Sequence, residues 1–281
     1  MTATTTTMTT TTATATTATT YLPPATAREG SIAHWGAITW LLAKRTFRLR
    51  YLGSRLGLGW AFLQPLVQAA VLTFLFTKVF KVARGPHYPL YVLTGIMIWQ
   101  AFQGGVNSAT TSAVDNAALL RKIPMPAVVF PLSQVLSVLM VFPMQSVILI
   151  IGAIAFGTLG PQVLLLPIVP LLVALLGTGI GCFTCAFHPA VRDVKFVVES
   201  GLLLLFYATP ILYDPSRLPA SLRGFLAINP MYGVVSLART ALMQQPFDLG
   251  ATAISLGAGA VFVVIGLLVF RRRSTTFADL A

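Results

Sequence analysis

Acidic side chains are nearly missing from this chain: 281 residues hold 7 Asp and Glu, and charged residues of both signs make up 9%. A water-soluble protein of this length needs a charged, hydrated exterior, so that fraction excludes a soluble domain. The few acids are scattered, which leaves no paired carboxylates for acid–base work and no Ser/His/Asp arrangement with His34, His87 or His188. Catalysis by this chain is not expected. Its two cysteines, Cys182 and Cys185, lie within one apolar stretch and form no secreted disulfide framework. With His188 they fall at i, i+3 and i+6, but a fourth ligand is missing, so the segment reads as a packed helix end stopped by Pro189, with no metal expected. No G-x-x-x-x-G-K-[ST] occurs either, so any ATP that drives this protein is hydrolysed by a partner. GTGIG at 177–181 follows no strand and lacks a third glycine in register; it reads as close helix packing through small residues.

What the chain has is apolar length: 56% of its residues are hydrophobic. A spanning helix needs about 20 mostly apolar residues. Six stretches qualify, roughly 61–80, 89–108, 127–157, 161–187, 196–213 and 251–270. The fold class expected is an all-α integral membrane protein with six transmembrane helices. The third stretch is longer than a bilayer requires and holds Pro131 and Pro143, so a tilt and a kink at one or both prolines are expected. Residues 1–27, beginning MTATTTTMTTTTATATTATT, have neither a basic n-region nor an apolar h-region, and are read as a disordered Thr/Ala-rich tail rather than a cleaved signal peptide.

Bases outnumber acids, 19 against 7, for a formal charge of +12. Concentrated beside apolar stretches, that excess reads as a topological signal rather than a nucleic-acid face. Arg28, Lys44, Arg45, Arg48, Arg50, Arg55, Arg121, Lys122, Arg192, Lys195, Arg271, Arg272 and Arg273 fall on one side of a six-span layout; Lys78, Lys81, Arg84, Arg217, Arg223 and Arg239 fall on the other. The positive-inside rule then places both termini, and the tail at 271–281, in the cytoplasm. The segment FLAINPMYGVVSLARTALM at 225–243 is apolar enough to suggest a seventh span. Asn229-Pro230 interrupts it, Arg239 would cost about 2.5–3.5 kcal/mol in hydrocarbon, and a further crossing would move the triple arginine outside. Residues 215–246 are therefore expected to form external re-entrant or interfacial helices, with their arginines near water or phosphate headgroups.

Residues 28–60 are read as a cytoplasmic amphipathic interface helix and its turn into span one. Ser31 is placed to cap the helix, Trp35, Ile38, Leu42 and Leu49 share a stripe, and Lys44, Arg45 and Arg48 form another face suited to anionic lipids. Gly53, Gly57 and Gly59 allow a sharp change of direction, and Trp60 suits headgroup level. Glu199 is the single acid placed at the lip of a span, which disfavours an ion-driven pump. The aromatics Trp60, Phe62, Phe74, Phe76, Trp99, Phe102, Phe206, Tyr207 and Tyr213 allow two readings: a lipid-facing belt, or a conduit whose rings stack on sugar rings without trapping them.

Four blocks carry a family resemblance across most of residues 44–270: RYLGSRLGLGWAFLQPL; YPLYVLTGIMIWQAFQGGVNSATTSAVDNAALLRKIPMPAVVFPLSQVL at 88–136; the pair Arg192-Asp193; and TPILYDPSRLP followed by AINPMYGVVSLART within 209–240. In order and spacing the chain resembles the ABC-2 type permeases that export lipid-linked or long-chain polysaccharide such as O-antigen, capsule or teichoic acid. The resemblance implies a 61–270 permease domain in the cytoplasmic (inner) membrane that pairs with a second copy of itself and with two separate ATPase subunits. ATP and Mg would bind there, with no cofactor in this chain. It implies an ATPase-coupling loop within 109–126, drawing on Asn116, Leu119, Leu120, Arg121, Lys122 and Pro124 beside Arg192 and Asp193, with the leucines as an exposed apolar anchor. It implies gate helices within 215–246, with Asn229, Pro230 and Arg239, and a conduit between copies lined from spans one and five, including Trp60, Phe74, Tyr207 and Tyr213. Two features depart from the family: the Thr-rich tail, and Met-Pro in KIPMPAVVFP where an aromatic-Pro pair is common. An ABC-2 exporter of small lipophilic drugs or lipids, and a membrane scaffold without transport, are the alternatives; a membrane glycosyltransferase would need an aspartate-rich loop.

Overall fold

Away from water every backbone N–H and C=O needs a partner within the chain, and a sequence this apolar meets that demand with helices. A computed structural model of the chain describes residues 32–51, 55–81, 85–122, 125–215, 218–219, 226 and 228–274. Among these all regular structure is helical: α1 (Ile32–Tyr51), α2 (Trp60–Phe74), α3 (Tyr88–Asp115), α4 (Ala117–Lys122), α5 (Val129–Leu139), α6 (Phe142–Ala155), α7 (Ile168–Cys185), α8 (Val194–Ala208), α9 (Pro230–Met243) and α10 (Leu249–Ser274). Four stretches are long and apolar enough to cross a membrane: Gly57–Val79, Val129–Ala155, Pro161–Cys185 and Thr252–Ser274.

α3 has 28 residues, one more than the longest of these stretches, yet it carries Gln100, Gln103, Asn107, Ser108 and three threonines. Its position explains the polarity. It packs against α2, α5, α6, α7, α8 and α9, so protein rather than lipid surrounds it. Leu90, Val92, Ile96, Met97, Ile98, Phe102 and Val106 form the centre of the main core. Its threonines return their hydroxyls to the preceding turn, Thr94 to the Leu90 carbonyl and Thr110 to the Val106 carbonyl, both at 2.8 Å. A helix shielded in this way carries polar side chains that a lipid-facing helix could not.

The third apolar stretch breaks once. α5 ends at Leu139 and α6 begins at Phe142 with Pro143 in its first turn, where a missing N–H costs nothing; Pro131 sits equally harmlessly in the first turn of α5. The fifth stretch is helical only to Ala208, since Pro210 drives Thr209 into an extended conformation (φ −88°, ψ 134°). α7 and α10 meet at the middle glycine of GTGIG: a methyl group on Gly179 would lie 2.6 Å from the backbone of Phe262 and Val263, so only glycine permits this approach.

α1 lies on α5 through buried Thr39 and Ala43, while Lys44, Arg45 and Arg48 are exposed. Trp35, Ile38 and Leu42 are half-buried as their shared stripe predicts, but Leu49 is 68% exposed. Of the three glycines expected to turn the chain, Gly57 adopts φ +50° and Gly59 an ordinary helical φ of −56°. Ser31 and Gly53 lie outside the described residues.

Candidate functional site

At the Tyr88 end of α3 the chain builds a clamp from carbonyls released where α8 stops. Residues 209–213 form no helix; the Thr209 carbonyl accepts from the Ile211 N–H, and side chains from two other helices take the carbonyls of 210–213. The Arg239 guanidinium donates through Nη1 to the Pro210 carbonyl at 2.7 Å and through Nη2 to the Ile211 carbonyl at 3.0 Å and the Tyr91 carbonyl at 3.4 Å. Its plane lies 3.3 Å from the centre of the Tyr91 ring, a cation–π contact in a dry site. The Tyr88 hydroxyl donates to the Leu212 carbonyl at 2.8 Å and the Tyr91 hydroxyl to the Tyr213 carbonyl at 2.7 Å. Gly95 makes the approach possible, since a methyl group there would lie 2.8 Å from Ile211 and 3.3 Å from Arg239.

Two further gate residues join the same structure. Asn229 caps α9 by accepting from the Met231 N–H at 2.9 Å, and its amide donates to the Thr209 hydroxyl at 2.9 Å; Pro230 occupies the first helical position. The far end of α9 is tied down as well, with Gln244 in a left-handed conformation (φ 51°) donating to the carbonyls of Thr158 and Leu159, both at 3.1 Å. The expectation that Arg239 stays near water or headgroups is corrected: the residue is 3% exposed. Three carbonyls and a ring face replace its hydration, which the amphipathic pattern of α9 does not announce. Tyr88, Tyr91 and Gly95 complete the clamp and were not singled out from sequence, although Tyr-x-x-Tyr places both rings on one helical face.

At the Asp115 end, Asn116 turns the chain from α3 into α4. Its amide donates to the Ser112 carbonyl at 2.9 Å, and its own carbonyl accepts from the N–H groups of Leu119 and Leu120. Leu120 points inward onto a satellite core of Ala113, Cys182, Cys185, Ala186 and Phe270; the reading of both leucines as exposed anchors is corrected, since each is half-buried. Arg121 and Lys122 belong to α4 by backbone, and Pro124 lies outside the described residues. Arg192 and Asp193 are exposed at the start of α8, whose first turn begins on the Asp193 carbonyl. The Arg273 guanidinium covers the Phe187 ring at 4.3 Å. His188 is buried here, and burial first, then the charge of Arg192, holds its imidazole below the usual histidine range, with Asp115 opposing. The structure thus gathers α4, the segment between α7 and α8, and the end of α10 into one surface. Cys182 and Cys185 are free thiols within it, Cys185 lying 3.4 Å from the Ser112 hydroxyl, and no group of three metal-ligating side chains occurs among the described residues.

The aromatics divide into two sets. Trp99 packs edge-on against Phe102 and Phe206, at 5.5 and 5.6 Å, and belongs to the core. Trp60, Phe74 and Tyr207 are 50%, 59% and 63% exposed, on faces of α2 and α8 that the other described residues leave open. Tyr213 is half-buried, with its carbonyl held by the clamp.

The sequence resembles known proteins over nearly all of the region this structure organises. It is 25% identical over 243 residues to the O-antigen export system permease protein RfbA of Klebsiella pneumoniae, covering 85% of this chain and 93% of that protein. It is 28% identical over 242 residues to the RfbA permease of Myxococcus xanthus, with the same coverage of both chains. To the polysialic acid transport protein KpsM of Escherichia coli it is 23% identical over 236 residues, covering 82% of this chain and 90% of that one. The model of the ABC-2 type transporter family matches residues 38–243, a segment that runs from α1 through the last residue of α9 and takes in both the Asn116 joint and the Arg239 clamp, and so this chain belongs to the ABC-2 type transporter family.

Proposed function

We propose that this chain is the permease subunit of an ATP-driven exporter that moves lipid-linked or long-chain polysaccharide across the cytoplasmic membrane. The observation that carries the proposal is similarity along 82–85% of the chain to permeases named for O-antigen export and polysialic acid transport. In this reading α3 and α8, with 28 and 15 residues, join the four long apolar stretches to make six spans, with both termini cytoplasmic. α1 lies along the inner leaflet with Lys44, Arg45 and Arg48 on anionic lipids. Two copies face each other across the uncovered sides of α2 and α8, where Trp60, Phe74, Tyr207 and Tyr213 line a conduit that offers every sugar ring an equivalent stacking contact. ATP and Mg reside on two partner ATPase subunits that dock on α4, Arg192 and Asp193.

The geometry supports a mechanical route between the two ends. α3 extends about 42 Å, since each residue advances the helix by 1.5 Å. One end is the Asn116 joint to α4; the other holds residues 209–213 and, through Arg239, α9. A tilt imposed at α4 therefore moves the Tyr88 and Tyr91 hydroxyls, and α9 with them, as one body. Deleting the gene should abolish surface display of the host's long glycan, plasmid expression should restore it, and the chain should co-purify with a nucleotide-hydrolysing subunit. Normal glycan display in the deletion strain would overturn the proposal.

A further inference from the structure

Between the end of α1, the start of α2, α3 and the α5–α6 junction lies a cavity of about 360 Å³, distinct from the clamp and from the α4 surface. Its walls are unusual for a chain that is 56% hydrophobic. Gln64, Gln100, Gln103, Asn107 and Gln145 line it together with Arg50, and among the described residues no carboxylate does. Core packing alone has no use for five clustered amides, because a polar group buried without a partner is costly.

Several of these amides are held in place. Gln100 donates to the Gln68 side chain at 2.9 Å, Gln103 accepts from the Trp99 indole at 3.0 Å, and Gln145, only 7% exposed, reaches the Ala61 carbonyl at 3.4 Å. Arg50 donates to the Ser108 hydroxyl at 3.1 Å. One acceptor is unused: the side-chain oxygen of Asn107 is buried without a hydrogen-bond partner. A primary amide offers donors and acceptors together, as a sugar hydroxyl does, and being neutral it gives polar contacts without a deep ionic trap. A phosphate would need a cation, and Arg50 supplies one at the rim. Small-ligand pockets start at about 300 Å³, so this one accommodates a single ring and not a polymer. Asn107 lies about 12 Å along the axis from Asp115, within the half of α3 nearest the coupling surface.

We propose that this cavity binds one sugar ring, the one adjoining the lipid phosphate of the exported chain, with its hydroxyls on the Gln64, Gln103, Asn107 and Gln145 amides and the phosphate on Arg50. The assignment rests on the polysaccharide-export reading. It gives each subunit a seat for the lipid-proximal end of the substrate, separate from the stacking surface along which the remaining rings slide.

The test uses the full-length chain in lipid nanodiscs with two probes: a short alkyl diphosphate carrying one glucose, and the same alkyl diphosphate without the sugar. The glucosylated probe should bind at least tenfold more tightly. Asn107→Leu should erase up to about tenfold of that preference, the worth of one hydrogen bond to a neutral group, while leaving the sugar-free probe unaffected. Gln64→Met, on the exposed side of α2, should act the same way and guards against a folding defect at Asn107; an unchanged thermal midpoint certifies each variant. Arg50→Gln should weaken both probes. Equal affinity for the two probes in the wild-type chain would mark a lipid-phosphate site, and unchanged preference in both amide variants would mark a water-filled void; either result overturns the assignment. Absence of discrimination in the wild-type chain, with glycan export intact in cells, strikes this cavity alone, whereas normal glycan display in the deletion strain strikes the exporter reading first.

Discussion

Arg239 gives its two terminal nitrogens to the Pro210 and Ile211 carbonyls, which lie outside any helix, and to the Tyr91 carbonyl within α3, which makes one side chain the link between the end of α8, the start of α3 and α9. Its planar fork reaches neighbouring carbonyls at once, a geometry that an ammonium cannot reproduce. Arg239→Met should leave the Pro210 and Ile211 carbonyls buried with weakened or no partners and lower stability by about 3 kcal/mol. Arg239→Lys should cost less and retain partial export. Thermal unfolding of purified protein, read beside glycan display, checks both, and an unchanged midpoint in the Met variant would remove the clamp from the account. Sequence reasoning marked Arg239 as important because a base in an apolar run is expensive, but placed it at the water boundary. The carbonyls that hold it come from residues 28 or more positions away in the chain.

At the scale of helices, α4 and the α7–α10 pair show two kinds of constraint. In α4 the half-buried leucines differ in their surroundings: Leu120 packs against the satellite core, and Leu119 is not among the described residues that do. Leu119→Asp should therefore separate ATP hydrolysis by the co-purified ATPase from glycan export without lowering protein level. Leu120→Asp should lower the level itself, since it brings a carboxylate against Cys182 and Phe270 at about 2–3 kcal/mol. If the two variants behave alike, α4 does not divide its faces in this way. Between α7 and α10 the constraint is steric. Gly179→Leu should prevent correct assembly, seen as loss of the folded peak in size-exclusion chromatography, because the neighbours at 2.6 Å are backbone and cannot yield. Gly36→Ala on α1, with nothing within 4 Å, should gain about 0.5–1 kcal/mol and serves as the control.

Across the whole molecule, the surface containing α4, Arg192 and Arg273 and the clamp containing Arg239 lie at opposite ends of α3, as the proposed six-span topology requires. The two native cysteines are fully buried, so an added cysteine reports its own position. Leu249→Cys, 69% exposed at the start of α10, should react with a membrane-impermeant maleimide in intact cells. Ser274→Cys, at the other end of the same helix, should react only after permeabilisation. Labelling of the opposite pair would reverse the orientation and move the ATPase contact to the clamp end.

Composition and patterning by themselves determined that this chain is a helical membrane protein, where its most apolar stretches begin and end, and which residues carry the family resemblance. Those properties depend on local hydrophobicity and on short blocks of contiguous residues, and both are visible in one dimension. Only the tertiary structure decided that α3 is the central helix, because its polar side chains look unsuited to a membrane until six neighbouring helices are seen to shield them. The same holds for Arg239, for Leu120 and for the amide cavity. In each case the free energy of a polar or apolar side chain is set by atoms far away in sequence, and no spacing rule places Asn107 beside Arg50 or Gln145. The helices were legible because a helix satisfies its backbone within itself; the sites were not, because they are made where different helices meet.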